Sequence, residues 1–342
     1  MGMGALSGGA RRAREAGSGT YGAPRSGSAG KLGWGDRVVG GARSRRLRAT
    51  VEAGLEGVDE ALEGALRVLH ASERIDDADA VGGFIGLGSQ IQTWLTLDQV
   101  RPDEGWLDEA IRQAVRLERK DIENETVLDI LEGVSGMIVP LLNLAEATRD
   151  RRWLSLAARA GRHLEATAIV DAHGARWPAS VFDEPLGGFA HGATGTGWAL
   201  ARLGLSRAGD DDDRRRWLAR AERAFDFEES LWHAASGNGI DVRKPESRDF
   251  ADSWCHGSVG IGFAACDLYE RTGDPRHLYT LRRAVRAAAA GAWGHNHTLC
   301  NGDLNVWELM DRDARCDPAI VPRVEVPGGA SVRLKIEEHG MV

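Results

Sequence analysis

A short glycine phrase recurs five times along the chain: "FIGLGSQIQTWLTL" at Gly86, "LEGVSGMIVPLLNLA" at Gly133, "AHGATGTGWALARL" at Gly192, "CHGSVGIGFAACDL" at Gly257 and "CNGDLNVWELM" at Gly302. The leading glycines are 47, 59, 65 and 45 residues apart, and three copies read Gly-x-x-Gly. Each phrase runs into apolar residues at helical spacing, such as Ile261, Ala264, Ala265 and Leu268, so each reads as a tight turn feeding an inner helix. Between the phrases lie Arg- and Ala-rich segments, "DRRWLSLAARAGRHLEA", "DRRRWLARAERAFDF" and "DPRHLYTLRRAVRAAAA". Their apolar residues occupy one stripe, the pattern of an amphipathic outer helix. A single helix pair cannot cover its own apolar face, so repeated pairs bury a core only by stacking or closing into a ring. The expected fold class is all-α, an α/α toroid with five repeats legible.

Composition narrows the setting. With 42% apolar and 27% charged residues the chain lies in the globular range. Apolar runs such as "MIVPLLNLA" fall short of the roughly 18 residues that a membrane span requires. Stable membrane insertion is therefore not expected, nor a nucleic-acid partner, and the expected location is cytoplasmic. Residues 1–50 carry ten Lys or Arg against two acids, whereas the whole chain has a net charge of −8. That basic Gly/Ala/Arg-rich stretch reads as a disordered low-complexity leader rather than a targeting signal, because it lacks an apolar core and a sustained amphipathic period. The expected organisation is this leader, a helical domain over 51–311 and an atypical tail over 312–342, whose "RVEVPGGASVRLKIEEH" alternates like a hairpin.

Four cysteines, Cys255, Cys266, Cys300 and Cys316, do not make a disulfide framework in a chain of this length without an export signal. Cys266, inside "IGFAACDLY", reads as inert core packing. Cys255 and Cys300 differ, because they occupy equivalent turns of successive repeats, and equivalent turns of a ring share one face. Helix N-termini gathered there favour thiolates, and zinc ligation is the economical use of such a pair. A nucleotide-binding reading of "GATGTG" or "GSVGIG" is disfavoured, since loops rather than a β-branched strand precede those glycines.

The ordered series "GGFIGLGS", "LDILEGVSGMI", "GGFAHGATGTGWAL", "DSWCHGSVGIG" and "NHTLCNGDL" resembles the LanC-like cyclase domain. It is most like the C-terminal cyclase half of class II (LanM-type) lanthipeptide synthetases, over about residues 80–311. The resemblance implies a seven-repeat α/α barrel that forms thioethers in a ribosomally synthesised precursor peptide. A zinc-bound precursor thiolate adds there to dehydroalanine or dehydrobutyrine. It places the zinc cysteines on Cys255 and Cys300, the acid/base histidine on His191 and the site aspartate on Asp129. Trp254 and His256 then flank the first ligand as substrate-pocket residues. Without the resemblance, His191 and Asp129 read as a turn residue and a helix cap. His163, His233 and His277 read as solvated.

Two departures shape the expectation. Asn301 stands where the family carries its third zinc ligand, and an amide oxygen suits zinc poorly; His297 lies near enough in sequence to substitute. Five repeats are legible where seven are implied, and no dehydratase domain accompanies them, which leaves that step to a separate partner. The expectation is therefore a lanthionine-forming cyclase weakened by these departures. The alternatives are a non-catalytic peptide-binding toroid or degenerate fragment, and a toroid glycosidase using carboxylates such as Asp129 and Asp252.

Overall fold

Each recurrent glycine stands one residue ahead of a helix. The structure is a computed structural model. It describes residues 58–73, 80–102, 104–180, 182, 184–243, 252–291, 293, 294, 296–316, 323–326 and 330–333; the expected leader lies outside these. The inner helices are α2 (Leu87–Val100), α4 (Val134–Thr148), α6 (Ala193–Gly204), α8 (Ser258–Thr272) and α10 (Asp303–Cys316). The outer helices are α3 (Trp106–Glu118), α5 (Arg152–Thr167), α7 (Asp211–Ser230) and α9 (Pro275–Gly291), and α1 (Val58–Glu73) precedes them all. No helix among the described residues is long and apolar enough to cross a membrane.

The first N–H groups of a helix have no intrahelical partner, and α2, α4, α6 and α8 carry no side-chain cap. At α2, α4, α6 and α10 the preceding loop folds back and caps the helix with its own carbonyls. Leu87 N donates to Ala80 O, Val134 N to Val127 O, Ala193 N to Leu186 O and Asp303 N to Asn296 O, all at 2.8–3.1 Å. In every case the acceptor lies seven residues upstream. This close return explains the Gly-x-x-Gly phrase: a Cβ on Gly192 would sit 2.0 Å from Gly187 O, and one on Gly195 would sit 1.9 Å from Phe189 O.

Each of the first four inner helices packs on its own outer helix and on the next inner helix, in the order α2, α4, α6, α8, α10. The outer helices present one apolar stripe, as α5 does with Trp153, Leu156, Ala157, Ala160 and Leu164, whereas every residue of α6 is buried. The series curves, because Phe84 in the first turn lies 4.5 Å, centroid to centroid, from Trp254 in the fourth. The all-α toroid expectation therefore holds, with five turn-plus-inner-helix units among the described residues.

Short hairpins are the exception to helix. β1 (Ile169–Asp171) pairs with β2 (Gly174–Arg176), and β3 (Trp232–His233) with β4 (Asn238–Gly239). Both connect one helix pair to the next, which periodicity over longer windows does not detect. In the tail, β5 (Arg323–Val326) pairs antiparallel with β6 (Ala330–Arg333), as the alternation there predicts. α10 runs through the expected boundary at 311 and ends at Cys316.

One buried charge network ties α6 to α8. The fully buried Asp267 accepts from Trp198 Nε1 at 2.7 Å, Arg202 Nη1 at 3.1 Å and Arg271 Nε at 2.8 Å. Burial holds the Arg202 guanidinium below its usual pKa even with Asp267 beside it. Removing the carboxylate would strand that cation in the interior, so Asp267→Ala should cost about 3–5 kcal/mol. Urea unfolding is the check, with Asp212→Ala, at an exposed pair on α7, expected to cost under about 1 kcal/mol.

Candidate active site

The five turns meet edge to edge through backbone hydrogen bonds. Gly83 N and Phe84 N donate to Ile130 O and Leu131 O, Ile130 N and Leu131 N to Ala190 O, Phe189 N and Ala190 N to Cys255 O, and Trp254 N to Cys300 O, all at 2.8–3.2 Å. This relay carries Asp129, His191, Cys255 and Cys300 in successive turns, each just ahead of an inner helix. Two pairs result. His191 Nδ1 lies 2.7 Å from Asp129 Oδ2, and Cys255 Sγ lies 2.9 Å from Cys300 Sγ. Because Ala190 N donates to Cys255 O, the histidine and the cysteine pair sit on adjacent turns.

Asp129 does two jobs with its two oxygens. Oδ1 accepts from Glu132 N and Gly133 N, closing the turn before α4, while Oδ2 holds His191. Asp129 thus braces the turn ahead of α4 and holds the His191 ring at the same time. With Nδ1 donating to Asp129, Nε2 is the nitrogen of His191 left to act, at a ring that is mostly buried.

His256 stacks on His191, ring centroids 5.4 Å apart and planes 20° apart. Burial, and then the positive charge of Arg243, pull its pKa down to about 3, so His256 is neutral near pH 7. Trp254 is buried between Phe84 and Phe189 and forms the aromatic floor beneath the turns. Neither Phe84 nor Phe189 was singled out by motif.

The donor set is compatible with zinc as far as two thiols go. A tetrahedral zinc with Zn–S of about 2.3 Å separates two sulfurs by roughly 3.8 Å; the 2.9 Å separation seen here is shorter, so the two thiols would have to part to hold the ion. Asn301 Oδ1 is 3.7 Å from Cys255 Sγ, facing the pair from the third-ligand position. His297 does not reach it: its side chain is 89% exposed and bonds Asp303 Oδ2 through Nδ1. Among the described residues no third His, Cys, Asp or Glu joins Cys255 and Cys300.

Supporting residues come from elements with no motif. Glu228 on α7 accepts through Oε2 from Gly188 N at 2.7 Å and Thr194 Oγ1 at 2.8 Å, clamping the loop that carries His191. It also lines a cavity of about 240 Å³ between α7, α8 and α9, which none of the four turn residues borders. Of the histidines expected to be solvated, His233 is exposed. His163 instead bonds Glu125 O at 2.7 Å, and His277 packs edge-on to Phe225, its pKa lowered by burial. Asp252 is engaged by Asn238 Nδ2 and Ser258 Oγ.

A family model described as Lanthionine synthetase C-like protein matches residues 48–314. Seventeen chains of solved structure match. Among them is one titled Nisin cyclase, with a TM-score of 0.57 and 14% identity over 76% of this chain and 71% of that one. At that identity the likeness concerns the fold. No curated protein matches the sequence.

Glu228 offers a test of the loop clamp. Burial raises its pKa, so the folded state holds a proton that the unfolded state releases at about pH 4.5. Its contribution is therefore complete below that pH and lost as pH rises through the raised value. Glu228→Gln keeps an acceptor without the charge and should flatten this pH dependence without loss of stability at neutral pH. Glu228→Leu leaves two donors unpaired and should cost about 1–3 kcal/mol for each, read by denaturant unfolding across pH 4–8.

Proposed function

The chain belongs to the lanthionine synthetase C-like family, and from that premise we propose that it is a lanthionine-forming cyclase. Its substrate is a ribosomally synthesised precursor peptide bearing dehydroalanine or dehydrobutyrine, supplied by a separate dehydratase. The observation that carries this reading is the adjacency of the Asp129–His191 pair and the Cys255–Cys300 pair on one hydrogen-bonded rim of turns.

In the reaction, a precursor thiolate sulfur adds to the β-carbon of the dehydro residue. The C=C electron pair shifts toward the carbonyl as an enolate, and protonation at the α-carbon completes the thioether. His191 delivers that proton from Nε2, while Asp129 holds the ring through Nδ1 and stabilises its charged form. His256, kept neutral, stacks on His191 without competing for the charge. Trp254 supports the wall on which the peptide lies.

Cys255 and Cys300 would hold a zinc ion, with Asn301 at the third position. When bound, it supplies deprotonation of the incoming thiol, whose unperturbed pKa of about 8.5 leaves it mostly protonated at neutral pH. With two protein thiolates and an amide oxygen, affinity should be lower than for a site with a third nitrogen or sulfur ligand. A weakened cyclase follows. The competing reading, a peptide-binding toroid without catalysis, draws on the same departure at Asn301.

Zinc analysis and thiol alkylation followed by mass spectrometry separate these. Incubation with a dehydrated precursor should consume its thiols only in the protein's presence. Cys255→Ala and Cys300→Ala should abolish both zinc binding at this site and turnover. His191→Asn should retain zinc and slow cyclisation by about 10²–10⁴-fold. Asn301→His should tighten zinc binding and raise the rate. Folded, peptide-binding protein that leaves precursor thiols untouched, even after Asn301→His, would favour the binding module.

A further inference from the structure

Cys266 and Cys316, expected to be an inert core residue and a residue of the tail, meet on adjacent inner helices. Cys266 Sγ on α8 lies 3.4 Å from Cys316 Sγ at the end of α10. Glu270, one turn beyond Cys266 on the same face of α8, places Oε1 3.8 Å from Cys266 Sγ. All three donor atoms lie within 4.8 Å of one another, and no other group of three His, Cys, Asp or Glu side chains among the described residues is so gathered. Cys266 is eight residues into α8, roughly 12 Å along the helix from its start, so this cluster is separate from Cys255 and Cys300.

Three acids this close cannot all ionise without a cation among them. The Cys316 thiol and burial push the Cys266 thiol up, burial raises Glu270, and the bond from Cys266 lowers Cys316. The buried Arg312, bonded through Nε to Glu308, acts on all three in the direction of ionisation. Two thiolates and a carboxylate carry three negative charges; a divalent ion together with a guanidinium offsets them. Access is open on one side only, since Cys266 is buried, Cys316 half-buried and Glu270 exposed.

We propose that Cys266, Glu270 and Cys316 form a second metal site for a thiophilic divalent ion of the zinc class, with water completing a tetrahedron. Bound there, the ion joins α8 to α10 beyond the turns that carry Cys255 and Cys300. It acts as a clip that keeps those two helices in register, apart from any catalytic chemistry.

The test uses the full chain under reducing conditions with Cys255 and Cys300 both replaced by Ala. Titration with Co²⁺ should give one equivalent of binding with thiolate charge-transfer absorption, displaced by Zn²⁺. Adding Glu270→Gln, at an exposed side chain, should weaken Co²⁺ binding at least about tenfold with an unchanged helical circular dichroism spectrum. Adding Cys266→Ser and Cys316→Ser should remove the absorption. The proposal is overturned if the folded Ala variant shows no such band, if Glu270→Gln leaves affinity unaltered, or if Cys266 and Cys316 remain joined as a reductant-resistant disulfide. Cyclase activity plays no part in the readout, so failure here is distinguishable from failure of the functional reading above.

Discussion

The structure depends on a relay of backbone hydrogen bonds between turns. In a ring of helix pairs the loops must bring polar backbone into the interior, where an unpaired N–H or C=O costs about 1–3 kcal/mol. Here each loop solves the problem twice. Its carbonyls cap the helix that follows, and its remaining amides donate to the next loop, as Ala190 N does to Cys255 O and Trp254 N to Cys300 O. Both arrangements need main chain at close range, which is why glycines stand at Gly192, Gly195 and Gly260, where a Cβ would meet a carbonyl oxygen at 1.9–2.1 Å, far inside van der Waals contact.

A chemical site follows from that constraint almost without further cost. Functional groups are normally carried on loops, whose freedom is a liability for catalysis. In this chain the loops are bonded to one another through backbone, so residues placed one to four positions ahead of the leading glycines all project from the same rim. Asp129, His191, Cys255 and Cys300 occupy such positions. The buried rings of Phe84, Phe189 and Trp254 pack the first, third and fourth turns against one another.

What was legible in the sequence was what depends on local pattern. The glycine phrases marked the inner helices, the one-sided stripes marked the outer ones, and the turn positions of Asp129, His191, Cys255 and Cys300 followed from the ordered motifs. Contacts made between helices were not legible. Cys266 looked like any small buried residue because Cys316 is brought to it only by the packing of α10 on α8, and Glu270, one turn along the same helix, signals nothing without that second thiol. Glu228 sits in a charged outer helix like many glutamates there, and only the third dimension directs it at Gly188 and Thr194. His163 and His277 were misjudged for the same reason: a charged helix still has a buried side.

The relay must also end somewhere, and its last turn shows how. The second, third and fourth turns are held from both sides by neighbouring backbone, but the fifth phrase, "CNGDLN", has Asn305 where the Gly-x-x-Gly copies carry their second glycine. Asn305 is buried, and its Nδ2 donates to Cys300 O at 2.8 Å, the same oxygen that accepts from Trp254 N. A side-chain amide thus supplies the second donor that Ala190 O and Cys255 O each receive from the backbone of the turn before them. The position of the Cys300 sulfur relative to Cys255 is therefore set by two donors on one carbonyl, and one of them comes from a residue with no chemical role of its own.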